Sequence, residues 1–178
     1  EPRDLWESGR YTEAVYAVES WYSYHSIDDY SNNILSIRNA LNGTRDGSEA
    51  DASIASYLKA NNNELYQQTK SEVTAAYNAI KGMAAPFRSH IGNNSVLAAQ
   101  KACADLEATI TGRLKPFMVA AGETELKPII ENYVDRVVVP TYQQLETQSR
   151  ALNSAVRNLA NNPSSQTFEL AAQAWMEA

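Results

Sequence analysis

The densest group of polar side chains with potential chemistry lies in residues 23–39, SYHSIDDYSNNILSIRN. His25 and Asp28 are three residues apart, so on a helix they share a face, where an imidazole and a carboxylate are able to bind one metal ion. The same segment also suits the start of a helix. There Ser26 or Asp28 would cap the first turn, and the acidic groups would lie at the positive end of the helix dipole. The sequence leaves both interpretations open.

Other chemically capable residues have simpler interpretations. His90 lies between predicted helices, where we expect it to hydrogen-bond to the backbone. Cys103 lies on an apolar stripe and is expected to behave as a small buried hydrophobic residue. Trp175 is interpreted as a packing anchor. Six aromatic side chains are crowded near the start of the chain: Tyr11, Tyr16, Trp21, Tyr22, Tyr24 and Tyr30. The core is the favoured place for them, and an aromatic cluster beside acidic residues that lines a ligand pocket is the alternative.

The length, composition and net charge of the chain argue against several classes of protein. The chain has 178 residues, 44% of them hydrophobic and 20% charged, which is typical of a globular protein. A formal net charge of −6 argues against a nucleic-acid partner, which would require a basic surface. No apolar run is long enough to span a membrane. With two histidines in total and no hydrolase, P-loop or dinucleotide motif, the chain alone cannot form a multi-histidine metal centre.

The hydrophobic period predicts an all-α fold of antiparallel helices. Helices are expected over residues 11–22 and 28–41. Pro116 should kink or end its helix, and Pro140 should kink the helix that contains it. A linker is expected near residues 119–122, and Ser164 or Ser165 should cap the last helix. Since the chain begins without Met and without a signal peptide, we expect a fragment or processed product that has lost its targeting segment.

Residues 126–159, LKPIIENYVDRVVVPTYQQLETQSRALNSAVRNL, carry a pattern N-Y-x-D-x-V-V-x-P-x-Y that begins at Asn132, and Trp175 closes the following helix. This pattern resembles the start of imelysin-like proteins, a family that includes insulin-cleaving membrane proteases and proteins like iron-regulated protein A. Three earlier segments resemble the second half of the family: HSIDDYSNNILSIRNALNG, ASIASYLKANNNELYQQTKSEVTAAYNAIKGMAAPF and AAQKACADLEATITGRLKPF. Relative to the family the order is circularly permuted, and a middle segment with a G-x-H-x-x-E motif is missing. A true permutation with loss of the middle, a fragment that spans the junction of two tandem copies, and a renumbered chain all fit this order.

The resemblance implies two related helical bundles packed together with a polar site between them. Residues 1–122 would correspond to the C-terminal half of the family and residues 123–178 to the N-terminal half. It also implies a periplasmic or outer-membrane-anchored location, a link to iron uptake, and envelope iron-uptake components as partners. Some members of the family are described as peptidases, but a zinc peptidase needs three protein ligands and a general base, and this sequence offers no such set.

These expectations combine into one hypothesis, in which the chain binds a metal ion, with iron or zinc as candidates, or a small polar ligand. The candidate ligand-binding residues are the polar residues of the opening stretch and one tyrosine of the motif: His25, Ser26, Asp28, Asp29, Asn32, Asn33 and Tyr133. Three alternatives stay open, namely a metal-dependent peptidase, a ligand-sensing ectodomain and a structural module without a site. A structural module predicts that His25, Asp28 and Asp29 are exposed, separated and non-convergent.

Overall fold

The computed structural model describes residues 1–178, and it confirms the all-α prediction, since it contains no strand. Ten α-helices are joined by short turns, one 3₁₀ turn at Phe87–Ser89 and two π-helical segments. The helices are α1 Pro2–Glu7, α2 Tyr11–Tyr16, α3 Ser26–Asn42, α4 Ile54–Asn61, α5 Asn63–Lys81, α6 Asn94–Thr109, α7 Lys115–Val119, α8 Glu123–Tyr133, α9 Val139–Asn161 and α10 Ser165–Glu177. No helix is both long enough and apolar enough to cross a membrane.

The hydrophobic core lies within residues 1–119, which we call the body. A continuous cluster of 18 buried residues runs from Ala14 to Leu114 and is built mainly where α3, α5 and α6 pack together. On α5 the stripe with helical spacing is buried as its period predicts: Leu65, Thr69, Val73, Ala76 and Ile80.

The predicted helix over residues 11–22 is wrong, because α2 ends at Tyr16. Beyond it, backbone groups bond to side chains of other elements: the Glu19 amide donates to the Tyr30 hydroxyl at 3.1 Å, and Arg88 donates to the Trp21 carbonyl at 2.8 Å. These bonds satisfy groups that a continuing helix would pair internally, so the chain is free to turn. Tertiary contacts therefore override the helical propensity of this segment.

Pro116 and Pro140 interrupt the α-helical pattern without ending either helix. Each lies two residues after a π-helical segment, Ile110–Leu114 in one case and Val134–Val138 in the other. Proline has no amide hydrogen, and its ring clashes with the carbonyl four residues earlier, which in both cases belongs to the π segment. A wider turn relieves that clash, so the predicted kink or end takes the form of a π turn inside a continuous helix.

Residues 123–178, which we call the hairpin, consist of one long helical rod, α8 through α9, and the antiparallel helix α10. The turn between them is closed by Ser164, whose side chain accepts from the Thr167 amide in a capping box, as one of the two sequence alternatives predicted. The body and the hairpin meet where the Asn132 side-chain amide donates to the Gly43 carbonyl at 3.0 Å and where Arg45 bonds to Gln144. The predicted division at residue 122 falls in the non-helical connection; that its two parts are halves of a family pattern stays a prediction.

Candidate functional site

The start of α3 is not capped by its own side chains. His25 occupies the N-cap position and makes no side-chain capping bond, so the prediction that Ser26 or Asp28 caps this helix is wrong. The reason is a stronger competitor: Asp28 Oδ1 accepts from Lys81 Nζ, at the end of α5, at 2.8 Å. An interhelical ion pair thus replaces the local cap.

His25 completes a short charged row with this pair. Its Nδ1 lies 3.5 Å from Asp28 Oδ2, and the exposed fractions of the two side chains are 45% and 57%. The hydrogen bond from Lys81 lowers the pKa of the Asp28 carboxyl, with a smaller contribution from His25, and Asp28 raises the pKa of Lys81 in return. Asp28 is therefore held as a carboxylate already bound to a cation.

His25 and Asp28 line a cleft of about 600 Å³ between the start of α3 and the end of α10. Asp29 and Asn32 line the same side, and Trp175 lines the opposite side. The rings of His25 and Trp175 meet edge to face, with centroids 6.2 Å apart. The cleft therefore brings together residues that are about 150 positions apart in the sequence.

Comparison with known proteins decides the family. A family model described as imelysin matches residues 6–111. The chain belongs to the imelysin family. The resemblance noted from the sequence motifs is thereby confirmed.

Two solved structures are similar to the chain. An imelysin peptidase from Bacteroides ovatus is 43% identical with a TM-score of 0.96, covering 99% of this chain and 52% of that chain. A putative iron-regulated protein A precursor from Parabacteroides distasonis is 36% identical with a TM-score of 0.60, covering 65% of this chain and 34% of that chain. No curated protein matches the chain. The chain spans about half the length of the Bacteroides imelysin structure.

Four of the seven candidate residues line the cleft of this imelysin chain: His25, Asp28, Asp29 and Asn32. The other three do not. Ser26 is buried, with 2% of its surface exposed. Asn33 faces a separate, mainly apolar cavity of about 580 Å³, and Tyr133 lies at the end of α8 outside the cleft.

Sequence reasoning missed the contribution of α10 and of the turn before α3. Trp175, interpreted as a packing anchor, is 48% exposed and faces the cleft, together with Glu177 and Tyr22. The aromatic cluster was the available signal. Tyr11, Tyr16, Tyr22 and Tyr24 are all more than half exposed, so the favoured core placement is wrong for them, and Tyr22 lines the cleft as the pocket alternative allowed. His90 behaves as predicted, with its Nδ1 2.9 Å from the Pro86 carbonyl oxygen.

The side chains at this imelysin cleft do not fit a metal ion held by the chain alone. No three His, Cys, Asp or Glu side chains converge anywhere in residues 1–178. A catalytic zinc needs three protein ligands and a structural zinc four. At the cleft His25 Nδ1 lies 3.5 Å from Asp28 Oδ2, and the Lys81 ammonium already forms an ion pair with that carboxylate. The arrangement suits hydrogen bonding to a polar organic ligand better than metal ligation.

Proposed function

We propose that the chain is part of an imelysin-type cell-envelope protein whose cleft between α3 and α10 binds a small polar ligand in connection with iron uptake. The observation that carries this proposal is the convergence of His25, Asp28 and Trp175 on one cleft from distant parts of the sequence. Convergent polar groups in a concave site of this size are typical of ligand-binding sites.

The lining of the cleft favours a neutral or positively charged ligand. Asp29 and Glu177 add carboxylates that form no salt bridge, and Tyr22 and Trp175 add aromatic surfaces. Carboxylates beside aromatic faces attract ammonium and guanidinium groups through charge and cation–π interactions. An anionic ligand would be repelled by the same carboxylates.

The link to iron and the envelope location draw on a relative. The Parabacteroides protein is described as an iron-regulated protein A precursor, which names both regulation by iron and a protein made in precursor form. We extend both properties to this chain, together with a periplasmic or outer-membrane-anchored location and envelope iron-uptake components as partners.

The alternatives are separated by the donor geometry. The Bacteroides relative is described as an imelysin peptidase, but a metal-dependent peptidase activity here would need ligands beyond those that residues 1–178 bring together. A structural module predicts that His25, Asp28 and Asp29 are exposed, separated and non-convergent. The Asp28 side chain is 57% exposed, as that alternative predicts, but His25 Nδ1 lies 3.5 Å from Asp28 Oδ2 and all three residues line the same cleft. The ligand-binding proposal accounts for this convergence.

A fluorescence titration tests the proposal. Trp175 is made the only tryptophan by replacing Trp6 and Trp21 with Phe, and Fe²⁺, Zn²⁺, amino acids and polyamines are titrated separately. We expect at least one amine to change the emission of Trp175 saturably, and Asp28→Ala with Asp29→Ala to weaken that binding about tenfold or more, since hydrogen bonds to charged groups contribute about 1.5–3 kcal/mol each.

The matched control is Asp105→Asn, because Asp105 is an exposed carboxylate paired with Lys101 on α6, away from the cleft. Binding that survives the double Asp→Ala change unaltered would contradict the proposed site. Tight binding of Fe²⁺ or Zn²⁺ in preference to every amine would instead favour the metal alternative. Protein abundance that does not change under iron limitation would contradict the link to iron.

A further inference from the structure

We infer that a second, smaller cavity, between α3 and α5, is a binding site for a small oxyanion, either a carboxylate or a phosphate. The cavity measures about 310 Å³ and is lined by Arg38, Lys70, Tyr77 and Gly47, with apolar side chains behind them. Arg38 lies ten residues after Asp28 on α3, about 15 Å along the helix, so this site is separate from the cleft. This cavity also favours an anionic ligand, whereas the cleft favours a neutral or positively charged one.

Arg38 provides the main observation. Its side chain is half-buried, its Nε is shielded from solvent, and that Nε has no hydrogen-bond acceptor in the protein. The guanidinium makes one side-chain hydrogen bond, from Nη2 to Asn39 Oδ1 at 3.1 Å, and it forms no salt bridge. A partly buried guanidinium without an anionic partner is costly, and Arg38 lines the cavity, so an oxyanion that enters the cavity would be stabilised beside it.

Two other guanidinium groups with restricted solvent exposure show how such a charge is ordinarily satisfied. Arg3 donates to Glu7 and to the carbonyls of Ile91 and Asn93. Arg88 donates to the Trp21 carbonyl and lies 5.2 Å and 4.7 Å from the ring centroids of Trp21 and Tyr24. Arg38 has neither a carboxylate nor an aromatic face, and this difference points to a ligand.

The surroundings hold the Arg38 guanidinium in place. It packs against the loop at Gly47, where a Cβ would lie 3.5 Å from Arg38 Cζ and Nη1. The loop is in turn fixed by Asn42, whose side-chain amide donates to the Gly47 carbonyl at 3.0 Å. Since the guanidinium is oriented before any ligand arrives, little ordering is required on binding.

The charge and the size of the cavity define the class of ligand. Lys70 adds a cation, but it donates to the Glu49 carboxylate, so Arg38 supplies most of the net positive charge. A guanidinium presents two parallel N–H groups that match the oxygens of a carboxylate or a phosphate. A volume of about 310 Å³ is at the lower end for ligand sites, which favours a small ion over a nucleotide.

The test uses inorganic phosphate and succinate as probes, with sodium chloride at matched ionic strength as reference. In the wild-type chain we expect one or both anions to shift the ¹⁵Nε–H signal of Arg38 saturably and to raise the thermal midpoint. Arg38→Gln should weaken this binding about tenfold or more, because the charge-assisted bidentate contact is lost. Arg38→Lys keeps the positive charge but loses the two parallel N–H donors, so its affinity for the anions should lie between those of the wild type and Arg38→Gln.

Arg45→Gln is the matched control, since Arg45 is an exposed guanidinium in the neighbouring loop that bonds to Gln144 and does not line the cavity. A response to phosphate alone assigns the site to phosphates, and a response to succinate alone assigns it to carboxylates. No saturable shift with either anion would show that the cavity binds no small oxyanion, and the inference would be wrong. An equal response in Arg38→Gln would also overturn it.

Discussion

The body and the hairpin are both helical, but they differ in what their helices bury. The core cluster lies wholly in the body, where Leu58 and Leu65 are 0% and 1% exposed. The hairpin contains three buried residues, Ile129, Val137 and Ala171, and α9 contains none. Many large apolar side chains of the hairpin are exposed, among them Tyr142, Leu145, Phe168 and Met176.

The difference shows that amphipathic period and burial are separate properties. A stripe of apolar residues every three or four positions favours a helix with one apolar face, but it does not state whether that face is covered. In the body, α5 and α6 pack on each other and on α3, so the stripes are covered. In the hairpin, α9 and α10 pack chiefly on each other, so much of the apolar stripe on each helix remains exposed.

The largest expected effect separates the two regions by the same substitution. Leu65→Ala in the body should lower the free energy of unfolding by about 2–5 kcal/mol, because it leaves a cavity in a packed core. Leu145→Ala in the hairpin, where Leu145 is 43% exposed, should cost less than about 1 kcal/mol. Urea unfolding followed by circular dichroism measures both. Equal losses would show that the two regions are packed alike and would break the comparison.

The sequence predicted the elements of the body well where packing and local preference agree. The α3 and α5 helices and the buried stripe on α5 follow directly from the spacing of their apolar residues. The segment from Ala17 to Tyr24 could not be predicted, because side chains from distant positions satisfy its backbone. No local pattern encodes that Arg88 reaches the Trp21 carbonyl.

The cleft between α3 and α10 was predictable only where its residues are close in the sequence. Asp28, Asp29 and Asn32 lie in the first two turns of α3 and His25 is its N-cap residue, so their spacing alone places them close together. Lys81 and Trp175 come from elements whose placement depends on the packing of the whole chain. Arg38 carried no signal in the sequence, since an unpaired guanidinium is recognised only once its neighbours are known.

A smaller effect concerns the contact that joins the two regions. Gly43 has φ +69°, and a Cβ there would lie 2.5 Å from Asn132 Nδ2. Gly43→Ala should therefore lower the free energy of unfolding by about 2 kcal/mol or more, of which about 1–2 kcal/mol is left-handed backbone strain. Gly9→Ala is the control, because Gly9 has φ +79° with no atom within 4 Å and should show the strain alone.

Combining Gly43→Ala with Asn132→Ala identifies why Gly43→Ala should cost more free energy of unfolding than Gly9→Ala. If the clash with the hairpin causes it, Asn132→Ala should reduce the cost of Gly43→Ala towards that of Gly9→Ala in the same urea assay. An undiminished cost in the Asn132→Ala background would place the clash within the body, for example at Ser53 Cβ, 3.2 Å away. The hairpin would then be joined to the body more loosely than the contact implies.

The smallest effect compares one ion pair from each region. Asp28→Asn removes a pair that joins α3 to α5 in the body, and Glu146→Gln removes a pair with Arg150 within α9 of the hairpin. Both pairs are largely exposed, so we expect losses of about 0.2–1 kcal/mol for Asp28 and about 0.2–0.5 kcal/mol for Glu146.

The pH dependence of the Asp28 effect follows from the direction of its pKa shift. Lys81 chiefly lowers the pKa of Asp28 below its ordinary value of 3.8, so the folded state binds this proton less tightly than the unfolded state does. The stabilisation is therefore present above pH 3.8 and is lost as the pH falls through the lowered pKa. In urea unfolding from pH 7 to pH 2, the difference between wild type and Asp28→Asn should shrink at the acidic end. A constant difference would show that the introduced amide is disfavoured by packing at the cleft and not by loss of the charge.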